Sequence, residues 1–253
     1  MEEEARIKKD IKKKYSLENM DDALKNAKQK IVERQLEITQ KINAVEFDVH
    51  WYRRVFHTFG TSFLLYYLLP SEKWIDVVKV VLLVFIFGLI CVMEYLRLRG
   101  KIGSDYFFGL RFYEKKRVGS YLYFGVAALL LLLLFPQQIA IPCILCASLG
   151  DPIIGELRYR FGKRTAAMLG FFLCLLFFGL TWYKADLLVL CGVSLVGATG
   201  AVIGETKKFW WLDDDFMIQM LPAILLFVLW IGMRYTGVDI LPKSLLYPVI
   251  LPW

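Results

Sequence analysis

Acidic residues in this chain stand where apolar stretches stop. In Leu149-Gly150-Asp151-Pro152-Ile153-Ile154-Gly155-Glu156-Leu157-Arg158-Tyr159-Arg160-Phe161-Gly162-Lys163-Arg164 an apolar run ends in Gly-Asp-Pro and passes into basic sequence. A carboxylate held in hydrocarbon costs about 2.5–3.5 kcal/mol at a helix centre unless it is paired or hydrated. Asp151 is therefore expected to be either a helix N-cap, with Pro152 in the first turn, or a metal ligand. Gly155 and Gly162 would let backbone approach a phosphate closely. Arg158, Arg160, Lys163 and Arg164 supply positive charge. Acid for magnesium, with glycine and basic residues for phosphate, is what a nucleoside triphosphate site requires. An ordinary capped helix with snorkelling arginines uses the same residue types.

A second group is Gly197-Ala198-Thr199-Gly200-Ala201-Val202-Ile203-Gly204-Glu205, followed by Asp213-Asp214-Asp215. Gly200 and Gly204 have the small-xxx-small spacing of close helix packing, which would bring Glu205 against a neighbouring helix. Three adjacent carboxylates at a helix start suit its dipole. They also repel one another, and a divalent cation would relieve that repulsion. In Tyr52-Arg53-Arg54-Val55-Phe56-His57 two arginines mark the mouth of an apolar run, and His57 follows within one turn as a packing residue or a base. Glu94 and Arg97 are spaced for a same-face ion pair. Glu114 lies in the basic stretch beyond them. Walker loops, dinucleotide fingerprints, H-E-x-x-H and nucleophile elbows are all missing from the sequence.

These residues are positioned by apolar elements. The chain has 253 residues, 57% of them hydrophobic and 22% charged, which exceeds the apolar share of soluble domains and points to lipid as the solvent. Seven apolar runs are read at about Val55–Leu69, Trp74–Leu96, Ser120–Phe135, Ile139–Leu149, Ala166–Tyr183, Leu187–Ile203 and Phe216–Met233. A perpendicular span needs about 20 residues, so the first, third and fourth runs are short. Basic loops alternate with short, nearly neutral ones. The expected fold is an all-α integral membrane protein of about seven spans with the N-terminus in the cytoplasm. Lys79, Lys184, Arg234 and Lys243 break the charge pattern but lie near ends, where they can snorkel. The net charge of +7 then belongs to cytoplasmic loops rather than to a nucleic-acid surface.

Residues 1–46 are dense in Lys and Glu. Leu24, Ile31, Ile38 and Val45 recur at heptad spacing, with Ala27 and Ile42 between them, so an amphipathic cytoplasmic helix or a short dimerising coiled coil is expected. The opening MEEEARIKKDIKKK has no apolar core of the signal-peptide kind. The division expected is 1–46 and 47–253. Cys143-x-x-Cys146 lacks a second ligand pair and reads as membrane packing.

Taken in order, YRRVFHTFG, EYLR, FYEKKRVGSYLYFG, LGDPIIGELRYRFGKR and GETKKFWWLDDDFMIQMLP resemble the elements of the dolichol kinase family, which includes polyprenol, phytol and CTP-dependent diacylglycerol kinases. Asp215 stands where the family pattern has Asn, and Gln219 where it has Pro. No acid follows Lys163-Arg164 where members carry a Lys-Ser, Glu-Gly element. The resemblance implies a lipid kinase that moves the γ-phosphate of CTP to the hydroxyl of a lipid alcohol at the cytoplasmic face, with Mg2+ as cofactor. It implies catalytic roles for Asp151, Glu205 and Asp214, and metal contacts from Asp151, Asp213 and Asp214. Nucleotide contacts would come from Arg53, Arg54, Gly155, Arg158, Gly162, Lys163 and Arg164, with His57, Glu94, Arg97 and Glu114 as further candidates. The rivals are a CDP-lipid synthase, which uses the same nucleotide, and a transporter or scaffold. Transporters keep charges near the bilayer midplane, whereas the acids here stand at span ends.

Overall fold

The computed structural model describes residues 2–7, 9–10, 29–36, 51–103, 106–107, 110, 112–206 and 212–246. The chain divides into two compact units, Met1–His50 and Trp51–Trp253. In the first, the described residues are helical and exposed. Gln29 Nε2 donates to Glu33 Oε1 at 3.3 Å, one turn on. Ile31 is among them and exposed. The other heptad positions, Leu24, Ile38 and Val45, with Ala27 and Ile42, lie outside the described residues.

All regular elements described in the second unit are helical. Helix α1 covers 51–59, tightens to a 3-10 turn at Gly60–Leu64 and closes with one α turn at Leu65–Leu68. It stops because Leu69 precedes Pro70 and is pushed to an extended conformation, at φ −77° and ψ 137°. Helix α2, Lys73–Leu98, ends where Gly100 takes φ +70° and its N–H returns to the Arg97 carbonyl at 2.9 Å. Helix α3 is Ser120–Leu134 and α4 is Gln137–Leu145, with Phe135-Pro136 between them.

From α4 the chain stays helical through a π turn at Cys146–Gly150 into α5, Asp151–Thr181. The π turn sits where Pro152 removes the N–H that would bond the Ser148 carbonyl, and the wider turn relieves the clash with that carbonyl. Pro142 likewise cannot bond the Gln138 carbonyl. Trp182 Nε1 takes that oxygen instead, at 2.8 Å. The expected N-cap at Asp151 is therefore corrected: Gly150 before it is already helical, and no side chain caps there.

α5 breaks at Gly162, at φ +82° and ψ 169°, a conformation essentially restricted to glycine. A Cβ on Gly170 would meet Ile154 at 2.5 Å, and one on Gly150 would lie 3.8 Å from Cys174 Sγ. In a straight helix positions 150 and 174 would stand about 36 Å apart. The two halves of α5 are thus antiparallel arms of a hairpin with Gly162 at its tip. What reads in sequence as a basic loop is helix up to residue 161.

Helices α6, Leu187–Thr206, and α7, Asp214–Tyr235, complete the bundle. A Cβ on Gly197 would strike Phe178 at 2.6 Å, one on Gly200 the Pro222 backbone at 2.9 Å, and one on Gly204 the Met217 carbonyl at 2.5 Å. Close approach through small residues is the main source of helix association where the solvent is as apolar as the side chains. Ala127, Ala140, Ala147, Ala198, Ala201 and Ala223 extend it through the core.

The helices Lys73–Leu98, Leu187–Thr206 and Asp214–Tyr235, and the path Gln137–Thr181, are long and apolar enough to cross a membrane. α2 leaves Val77, Val81, Phe85, Leu89 and Val92 exposed, a surface compatible with lipid contact and too apolar for water. Lys79 corrects one expectation. It does not snorkel but is buried, bonding the Leu69 carbonyl at 2.8 Å and Asp76 Oδ1 at 3.1 Å. Cys143, Cys146 and Cys174 are buried free thiols, as core packing requires.

Candidate functional site

One cluster of charge gathers at the ends of four helices. α1 supplies Arg53 and His57, one turn apart on one face. α5 supplies Asp151 just after the π turn, and Arg158 two turns further on. α6 ends in Glu205. Asp213 caps α7, its carboxylate accepting the Asp214 N–H at 3.0 Å, and Asp214 and Asp215 form the first turn.

Asp215 stands at the centre and is only 1% exposed. Its Oδ2 accepts Arg53 Nη2 at 3.0 Å. Among the described residues its Oδ1 has no hydrogen-bond partner, and it lies 3.6 Å from His57 Nε2. The other ring nitrogen, Nδ1, is 3.3 Å from Asp151 Oδ2 and 3.4 Å from the Ala147 carbonyl. Arg158 Nη2 bonds Glu205 Oε1 at 2.5 Å, and the buried Glu205 carboxyl also meets the Asp151 carboxyl within hydrogen-bond reach. Asp151 and Asp214 both act on Glu205 electrostatically. Burial first, then the hydrogen bond with Asp214 and the charges of Asp215 and Asp214, push the Asp213 carboxyl up to about 8, against the pull of Arg53. Gln219, one turn below Asp215, donates to the Asp215 carbonyl at 3.0 Å and the Phe124 carbonyl at 3.3 Å. Phe124 meets the His57 ring edge-on, with centroids 5.3 Å apart.

Two groups of potential ligand atoms lie within 4.8 Å of one another: His57, Asp151 and Asp215, and Asp213, Asp214 and Asp215. The sequence reading names Asp151, Asp213 and Asp214 for a metal. The structure divides these between the two groups and puts Asp215 in both. The sequence reading includes Asp215 only as one of three adjacent carboxylates, and its place as the member shared by both groups comes from the structure. The available signal was its place on the stripe with Ile218, Gln219, Pro222 and Leu226, all buried.

The other candidates scatter. Arg54 pairs with Glu156 at 2.5 Å, and Glu156 also pairs with Arg160. A Cβ on Gly155 would meet nothing within 4 Å, so packing does not demand glycine there. Gly162 makes the hairpin tip. Lys163 and Arg164 stand exposed beside it, and among the described residues neither bonds to the cluster. Residues 207–211, including Lys207 and Lys208, lie outside the described residues.

Glu94 and Arg97 form a separate buried pair that pins the basic loop. Arg97 Nε and Nη2 grip Glu94 at 2.6 and 2.7 Å. Nη1 donates to the Glu114 and Lys115 carbonyls at 3.0 and 3.2 Å, and Nη2 also to the Arg117 carbonyl at 2.5 Å. All five donors of the guanidinium are used. Glu94 also accepts the Gly119 N–H at 2.7 Å and the Tyr121 hydroxyl. Tyr121 is one turn of α3 from Phe124, so this latch adjoins the acidic cluster at one remove. It positions the loop, with Glu114 contributing its carbonyl.

No family model, curated protein or solved structure matches this chain.

Proposed function

We propose that the chain is a multi-pass membrane lipid kinase that transfers the γ-phosphate of CTP to the hydroxyl of a lipid alcohol at the cytoplasmic face. The observation that carries this reading is the convergence of Asp151, Glu205, Asp213, Asp214 and Asp215 with Arg53 and Arg158 at one end of the bundle. The choice of CTP comes from the resemblance to dolichol kinases. Seven crossings are supported by the hairpin at Gly162, which separates the fourth and fifth apolar runs. The cytoplasmic orientation is supported by the basic sequence at the cluster's end of the helices.

Asp213, Asp214 and Asp215 are the residues that would hold magnesium, a cation that prefers oxygen donors. The fit rests on their carboxylate oxygens, which lie within 4.8 Å of one another. Bound there, magnesium would neutralise charge on the triphosphate oxygens. Arg53 and Arg158 would bind and orient phosphate oxygens at the mouth. The lipid hydroxyl would arrive sideways from the membrane at Glu205. Arg158 holds one oxygen of that carboxylate, and the second would accept the hydroxyl proton as the alcohol oxygen bonds to the γ-phosphorus and CDP leaves.

The test uses CTP labelled separately at the γ-phosphate and at cytidine, with magnesium and mixed lipid alcohols and phosphates. Label from the γ-phosphate on lipid is the expected result. Label from cytidine on lipid would make the protein a CDP-lipid synthase, and no label from either would end the enzyme reading. Glu205→Gln should lower γ-transfer by about 100-fold or more while eluting as the wild type does in size exclusion.

A further inference from the structure

We propose that His57, Asp151 and Asp215 form a binding site for a transition-row divalent cation, sharing Asp215 with the oxygen-only group of Asp213, Asp214 and Asp215. The site rests on the geometry of these three residues and does not depend on the kinase reading.

Its three residues come from α1, α5 and α7, yet one ligand atom of each lies within 4.8 Å of the other two. The histidine ring is oriented by its surroundings. Nδ1 faces the Ala147 carbonyl at 3.4 Å and Asp151 Oδ2 at 3.3 Å, and a carbonyl can only accept, which favours the tautomer with its proton on Nδ1. In the neutral ring the lone pair is then on Nε2, which faces Asp215 Oδ1 at 3.6 Å. Histidines that bind metals usually donate their other N–H to a carbonyl or carboxylate in this way.

Asp215 supplies the second, independent sign. Its Oδ2 is committed to Arg53, while Oδ1 is buried, has no hydrogen-bond partner among the described residues and lies 3.6 Å from Nε2. Two buried lone pairs facing each other repel. A cation between them turns repulsion into ligation, and ligand atoms about 2.1 Å from one ion stand roughly 3.0–3.6 Å apart. Five carboxylates meet two guanidiniums in this cluster, so a further positive charge is favoured. An imidazole donor suits transition-row ions, whereas magnesium takes oxygen donors and keeps its waters.

The experiment is Mn2+ titration of the purified full chain in nanodiscs without nucleotide, followed by electron paramagnetic resonance, with electron spin-echo modulation to detect imidazole 14N. The wild type should bind Mn2+ with 14N modulation. His57→Gln, which keeps a donor for the Ala147 carbonyl, should abolish the modulation and weaken binding by about 10-fold or more. Asp215→Asn should weaken it similarly. Wild-type Mn2+ without 14N modulation overturns the site. Unchanged affinity in His57→Gln overturns it as well. The wild-type spectrum needs no variant to fold. γ-Transfer measured on the same preparation separates the two readings, since either can fail while the other holds.

Discussion

Asp213, Asp214 and Asp215 are chemically identical, and only the rotation of about 100° per helical residue distinguishes them. That rotation turns Asp215 inward, onto the stripe of Ile218, Gln219 and Leu226, where Arg53 and His57 meet it. The acidic run is legible in the sequence as a place for a cation, but its buried member is not, because Arg53 and Asp215 stand 162 positions apart. Burial makes the pair asymmetric. Removing a partner from a buried ion pair leaves an uncompensated charge and costs about 3–5 kcal/mol. Arg53→Ala should therefore lower stability by about that amount, read as the fall in thermal unfolding midpoint in detergent. Arg53→Lys should recover part of the loss, since an ammonium restores charge without the planar fork. Equal stability of Arg53→Ala and the wild type would show that Asp215 is neutral in the fold.

At the scale of elements, small-xxx-small spacing is read correctly, while element boundaries are not. Gly200 and Gly204 do bring α6 against α7, and Glu205 arrives at the acidic cluster because it follows Gly204 directly. Gly204→Ala would put a methyl 2.5 Å from the Met217 carbonyl. Backbone cannot yield as a flexible side chain does, so a cost of about 1–3 kcal/mol is expected, together with reduced γ-transfer as Glu205 is displaced. Gly192, on the same helix, has nothing within 4 Å of an added Cβ. Gly192→Ala should raise stability by about 0.5–1 kcal/mol, the ordinary helical preference. Thermal unfolding of the two variants side by side checks the pair, and similar shifts would remove the packing argument. The basic stretch before Gly162 reads as a loop because charge in a sequence signals exposure, and an exposed helix is equally charged. Only a backbone at φ +82° marks where the helix reverses.

For the whole molecule, the proposed orientation rests on loop charge. In the proposed topology the hairpin tip at Lys163 and the turn at Lys184 lie on opposite sides of the membrane. Single cysteines at these exposed positions, with Cys91 and Cys191 changed to serine, should react with a membrane-impermeant thiol reagent from opposite sides of sealed vesicles, Lys163→Cys from the cytoplasmic one. Labelling of both from one side would break the topology. Hydrophobic runs and loop charge need no long-range information, so the sequence by itself determined that this is a helical, apolar bundle with its carboxylates at helix ends. The tertiary structure alone decided which of those carboxylates share a point. It joined Asp151 to His57 and Asp215, held Glu205 with Arg158, and turned Glu94 and Arg97 into a loop anchor. Such choices depend on which helix faces meet across more than a hundred positions of chain, and close packing through small residues selects them by shape, which no local pattern encodes.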